Sequence, residues 1–205
     1  MRIQHVLIDF ENVQPSNLNG LDAEHFKVLL FIGANQSKLS FELAASMHKL
    51  GSRGEYVKIT STGSNALDFH IAFYVGQLVA QDPTGYFHFV SKDQGFDPLI
   101  THLRSKKIAA QRWTSLQEIP LLKAARATTD DERLEIVADK LRQYGASRPR
   151  TMKRLHSLVH ALFQKQLAED KLQMLLKALQ KKGWVVESEN KLSYALPECA
   201  ASPIA

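Results

Sequence analysis

Carboxylates stand in this chain where a parallel sheet would gather them. Asp9 closes an apolar run and is followed by Glu11 and Asn12. Asp93 follows a second such run, and Asp97 comes four residues later. Asp68 shares a helical face with Asn65, Ile71, Ala72 and Val75, an otherwise apolar stripe. In an open parallel sheet, ligands bind outside the carboxyl ends of the strands, so these side chains are expected around one crevice. Clustered carboxylates repel each other, and a divalent cation relieves the repulsion. Oxygen donors without cysteine suit Mg²⁺ or Mn²⁺ rather than zinc. Such an ion activates a water and stabilises charge on a phosphodiester in transit. Asp9, Asp68 and Asp93 are therefore candidate metal ligands and, with Asp97, candidate catalytic residues. Each has a plainer role as well: Asp9 as a turn residue, Asp97 as a helix cap, Glu11 as a solvated rim residue. Asp68 fits a plain role worst, because an ionised carboxylate on a buried face is costly unless paired.

The elements that must position these residues are legible from periodicity. Residues 3–10, 26–32, 54–59, 86–91 and 108–113 are short runs rich in β-branched and aromatic residues, read as strands. Helical patterns lie between them at 38–50, 65–80 and 97–105, the last opening Asp97-Pro98 as cap and first-turn proline. Strands alternating with helices predict an α/β fold with a parallel sheet covered on both faces. A boundary is expected near 125–130, which gives a first domain over 1–125. Residues 131–144, 150–163 and 168–182 then read as three helices, followed by strands at 184–187 and 191–196 around Ser188-Glu189-Asn190. Three helices and a hairpin outline a small winged-helix-like domain over 130–197, with 198–205 as a flexible tail.

Composition narrows the partners. Residues 1–130 carry 13 Lys/Arg against 12 Asp/Glu and residues 131–205 carry 13 against 9, so most of the net +5 lies in the second part. That excess suits a polyanion, although a solvated lysine-rich surface explains it equally well. Arg148, Arg150, Lys153 and Arg154 form its densest cluster and are candidate nucleic-acid contacts. A single cysteine, Cys199, excludes a disulfide within the chain. No apolar run approaches the ~20 residues of a membrane span, and the N-terminus does not read as a signal peptide, so a cytoplasmic protein is expected. Walker-type and Gly-x-Gly-x-x-Gly loops are absent, which disfavours a nucleotide-binding or phosphohydrolase reading.

Three segments, in order, resemble NYN-type PIN-like nucleases. They are Val6-Leu7-Ile8-Asp9-Phe10-Glu11-Asn12-Val13, Asn65-Ala66-Leu67-Asp68-Phe69, and Val90-Ser91-Lys92-Asp93-Gln94-Gly95-Phe96-Asp97-Pro98. The resemblance implies a PIN-like fold, bound Mg²⁺ or Mn²⁺, and endonucleolytic cleavage of RNA. Asp9, Asp68 and Asp93 match the family's core acidic residues, and Asn12 matches the polar residue that steadies the first. Gly95 stands where the family commonly has a second aspartate, and Lys92 where it commonly has glycine. The second part is similar to the winged-helix modules attached to some of these nucleases. Candidate substrate contacts are Asn12, Asn35 in the loop 33–36, Ser61 and Asn65 before the Asp68 helix, and Ser91 and Lys92 at the fourth strand's end. RNA is the expected partner, with DNA as the alternative and room for a homodimer. The competing function is a catalytically weak or inactive nucleic-acid-binding protein on the same fold.

Overall fold

The structure, a computed structural model, describes residues 2–163, 165 and 167–197; the expected tail at 198–205 lies outside the described residues. Five strands, β1 (Gln4–Asp9), β2 (Phe26–Ile32), β3 (Gly54–Lys58), β4 (Tyr86–Val90) and β5 (Ala109–Trp113), form one parallel sheet in the order β3-β2-β1-β4-β5. From β1 the chain builds outward to β2 and β3 on one side and to β4 and β5 on the other. The switch point of this topology therefore lies between the ends of β1 and β4.

Burial explains the continuous apolar runs. β1 is buried at all six positions and β2 exposes only Lys27. Side chains alternate across the sheet. Leu7, Leu29, Phe31, Phe87 and Phe89 form one core with Leu67, Ile71 and Val75 of α2 (Ala66–Gln81) and Ile100 and Leu103 of α3 (Asp97–Ser105). Val6, Ile8, Val28 and Leu30 are fully buried on the opposite face. The helix α1 (Phe41–Leu50) packs beside β3 and buries Leu43, Met47 and Leu50, none of which joins the α2–α3 core. It starts three residues later than its apolar pattern, because the Ser40 hydroxyl accepts from the Leu43 N–H and caps it (3.2 Å).

The chain divides into two compact units, Met1–Ile119 and Pro120–Ala205. The division falls before the expected 125–130, because residues 120–126 form a helix, α4 (Pro120–Arg126), that packs on α5 and α6 and places Ala124 in the second unit's core. Proline at a helix start sacrifices no hydrogen bond, and its presence hid this helix. The second unit continues with α5 (Asp130–Tyr144), α6 (Met152–Leu162), α7 (Glu169–Lys181) and an antiparallel hairpin of β6 (Val185–Ser188) and β7 (Lys191–Tyr194). Leu134, Val137, Leu141, Leu155, Val159, Leu172, Leu176 and Val185 fill its core.

Candidate active site

Asp9 is the anchor. It ends β1, is 1% exposed, and both of its carboxylate oxygens are engaged. Oδ1 accepts from the N–H groups of Glu11 (3.1 Å) and Asn12 (3.2 Å). Oδ2 accepts from Asn12 Nδ2 (2.7 Å) and Ser91 Oγ (2.6 Å). The turn after β1 thus folds back on its own aspartate, as short acceptors at a strand end commonly do. The Ser91 hydroxyl crosses the switch point from the end of β4, and it also accepts from the Asp93 N–H (3.0 Å). One hydroxyl therefore ties β1, β4 and the Asp93 loop together. Ser91 is 1% exposed, so it positions carboxylates and offers no surface to a substrate.

A cavity of about 350 Å³ opens beside this anchor, lined by Glu11, Asn12, Asn35, Ser61, Asn65, Asp68, Asp93 and neighbouring residues. Asp68 occupies the first turn of α2. Burial, and then the negative charges of Asp93, Asp9 and Glu11, push its carboxyl above the ordinary carboxylate range. That shift is the signature of like charges sharing a half-desolvated space. Asn65 precedes α2 in the left-handed region (φ 59°) and makes no side-chain cap, so its amide is left for the cavity.

Glu11, exposed just past the strand, also lines this cavity. Its side chain lies over Gly33, where an added Cβ would stand 1.6 Å from Glu11 Oε1. Glycine at 33 leaves room for the side chain in this position. The loop after β2 is also more constrained than a phosphate-cradling turn: Gln36 accepts from the Gly33 N–H (3.0 Å) and donates to the Phe10 carbonyl (2.8 Å). Lys58 Nζ donates to the carbonyls of Gly33, Ala34 and Gln36 (2.6, 3.0 and 2.6 Å). Lys58 escaped the sequence reading because its partners are backbone carbonyls 22 to 25 residues away in sequence.

Asp97 does not line the cavity. Arg112 of β5 holds it with two hydrogen bonds, Nε to Oδ1 (2.8 Å) and Nη2 to Oδ2 (3.0 Å), and keeps its carboxyl below the usual range. It also lies inside α3 rather than capping it; Phe96 is the cap residue. Gly95 donates its N–H to Asp93 Oδ1 (2.8 Å), and a Cβ there would sit 3.2 Å from the same oxygen. Lys92 is exposed and is not among the lining residues. In the second unit, Arg150, Lys153 and Arg154 are exposed around the start of α6. Arg148 is committed to its own unit: Nε donates to the Leu141 carbonyl (2.9 Å), and the guanidinium lies over the Tyr194 ring, 5.7 Å from its centroid.

A family model of the PIN domain matches residues 3–113, the whole span from β1 to β5. The chain belongs to the PIN-domain family. PIN domains are generally nucleases and typically use Mg²⁺ or Mn²⁺. No curated protein and no solved structure matches the chain. Among the described residues, no three His, Cys, Asp or Glu side chains are grouped closely enough to ligate one ion as they stand. The donor set of this PIN domain nevertheless fits a hard cation. The donors are all oxygen, their charges are uncompensated at Asp68, and Mg²⁺ takes one or two carboxylates, with waters and substrate phosphate completing its shell. No helix among the described residues is long and apolar enough to cross a membrane.

Proposed function

We propose that this chain is a metal-dependent endoribonuclease of the NYN type, with a winged-helix-like second unit that grips nucleic acid. The observation that carries this reading is that Asp68, Asp93 and Glu11 line one cavity at the switch point, beside the buried Asp9. A pure binding protein has no use for a half-buried anionic cluster, which would repel phosphate. Asp9, Asp68 and Asp93 would hold Mg²⁺ or Mn²⁺, with Glu11 at the rim; the bound ion would supply an activated water and neutralise phosphate charge.

Division of labour among the residues follows from their surroundings. Asp68 and Asp93 face the cavity, while Asp9 stands behind them, fixed by Asn12 and Ser91. The side chains of Asn35, Ser61 and Asn65 offer hydrogen bonds to phosphate or ribose around the same space. Arg150, Lys153 and Arg154 offer exposed cations to the strand's phosphates. Asp97 is paired with Arg112 through both oxygens and lies outside the cavity lining, so it is given no direct role in this reading.

Cleavage of labelled single-stranded RNA with Mn²⁺ or Mg²⁺, comparing the native chain with Asp93→Asn, tests this. The expected loss is roughly 100-fold, about 2.7 kcal/mol in the barrier, with folding unchanged. If the native chain cuts none of several RNA and DNA substrates and binds them equally well in EDTA, it is a binding protein. Gly95, and the capture of Asp97 by Arg112, are the features that would then explain the lost activity.

A further inference from the structure

One face of α2 is apolar and faces solvent. Phe69 and Phe73 are 70% and 60% exposed, among the most exposed large apolar side chains of the described residues. They continue along the helix into exposed Gly76 and Ala80, at intervals of four, three and four residues. That is the spacing of an apolar seam between paired helices. From Phe69 to Gln81 the helix carries no Lys, Arg, Asp or Glu. Gly76 has no internal reason to be glycine: a Cβ there would meet nothing within 4 Å. Yet glycine inside a helix costs about 1 kcal/mol relative to alanine.

We propose that α2 pairs antiparallel with α2 of a second copy of this chain across a two-fold axis. The seam is self-complementary only in that direction. Antiparallel pairing sets Phe73 against the partner's Gly76 and Phe69 against the partner's Ala80, bulk into notch at each contact. Parallel pairing sets ring on ring and leaves the small residues facing a gap, which close packing disfavours. A two-fold interface must be one patch complementary to itself, and this one is. Two copies that each carry +5 meet here without burying a charge. A phenylalanine buries about 150–250 Å², so the exposed parts of the two rings offer roughly 260 Å² per copy. The two copies' rings together supply roughly 520 Å², well short of the ~1,200 Å² at the small end of the stable range, so a weak, concentration-dependent dimer is expected. Bases of a single strand stacking on the rings would use Phe69, next to Asp68 and the cavity. Stacking gives no role to Gly76 and Ala80, and the face offers no cation to phosphates.

Sedimentation equilibrium of the full chain, from low micromolar to near-millimolar concentration, tests the pairing. The native chain is expected to pass from monomer to dimer. Phe73→Glu should raise the dissociation constant about 100-fold, since it puts a charge at the seam's centre, and should leave thermal unfolding of the monomer unchanged. Gly76→Leu should stabilise the monomer's helix yet weaken the dimer, a pair of opposite effects that only a filled notch produces. A native chain that stays monomeric throughout, or a dimer that survives both substitutions, overturns the proposal.

Discussion

Ser91 is where the site is held by a single hydroxyl. It donates to Asp9 Oδ2 and accepts from the Asp93 N–H. Ser91→Ala should cost about 1–3 kcal/mol, because it leaves a buried carboxylate oxygen short of a bond; urea unfolding reads this, and nuclease activity should fall with it. Asp68 predicts the opposite sign. Its carboxyl is raised in the folded state by burial and then by Asp93, Asp9 and Glu11. Its contribution to stability is therefore full below the unfolded value and lost as pH rises through the folded one. At neutral pH the ionised group weighs against folding. Asp68→Asn should accordingly raise the melting temperature of the metal-free protein at pH 7, while abolishing the gain that Mn²⁺ gives the native chain. Differential scanning fluorimetry with and without Mn²⁺ checks both halves; an Asn variant that is no more stable than the native chain would remove the charge-crowding account.

Among the elements, the start of α5 is the most completely specified. Thr129 accepts from the Glu132 N–H (3.2 Å) while the Glu132 carboxylate accepts from the Thr129 N–H (3.0 Å), a reciprocal capping box. Thr129→Ala should cost about 1 kcal/mol, seen as a lower denaturant midpoint with an unchanged slope. The hairpin between β6 and β7 turns on Glu189 and Asn190, both at positive φ (50° and 61°), the backbone of a two-residue turn matched to strand twist. In the first unit, α3 is fastened to β5 by Arg112 and Asp97, an element-to-element contact in place of the cap that Asp97-Pro98 suggests.

For the molecule as a whole, acid is the condition to watch. His5 stacks on Phe87 (4.9 Å between centroids) and is buried, with Nδ1 among the described buried atoms lacking a partner. Burial lowers its pKa despite a hydrogen bond to Asp82 (3.2 Å). His25 is lowered for the same first reason. A group depressed in the folded state favours folding above its unfolded value and loses that contribution as pH falls through the folded one. Stability should therefore decline below the unfolded histidine value of 6.5, and His5→Asn should flatten the decline. Urea midpoints between neutral pH and pH 5 measure it; a midpoint independent of pH there would show that neither ring resists protonation.

How far the sequence reaches depends on how local the deciding interaction is. The alternation of apolar runs, the strand ends near Asp9 and Ser91, and the polar interruption at Asp68 are local patterns, and they suffice for a parallel α/β sheet with carboxylates at its edge. The hairpin is local too. What escaped is set by partners distant in sequence. Glu11 lies over Gly33, in the loop after β2, at the edge of the cavity. Asp97 leaves the site because Arg112, fifteen residues on, takes both of its oxygens. Ser91 changes from a substrate contact to a buried tie because β4 lies beside β1. Residue types and periodicity determined which groups this chain has and which elements carry them. Only the order of the strands, which sequence periodicity does not encode, decided which of those groups line one cavity.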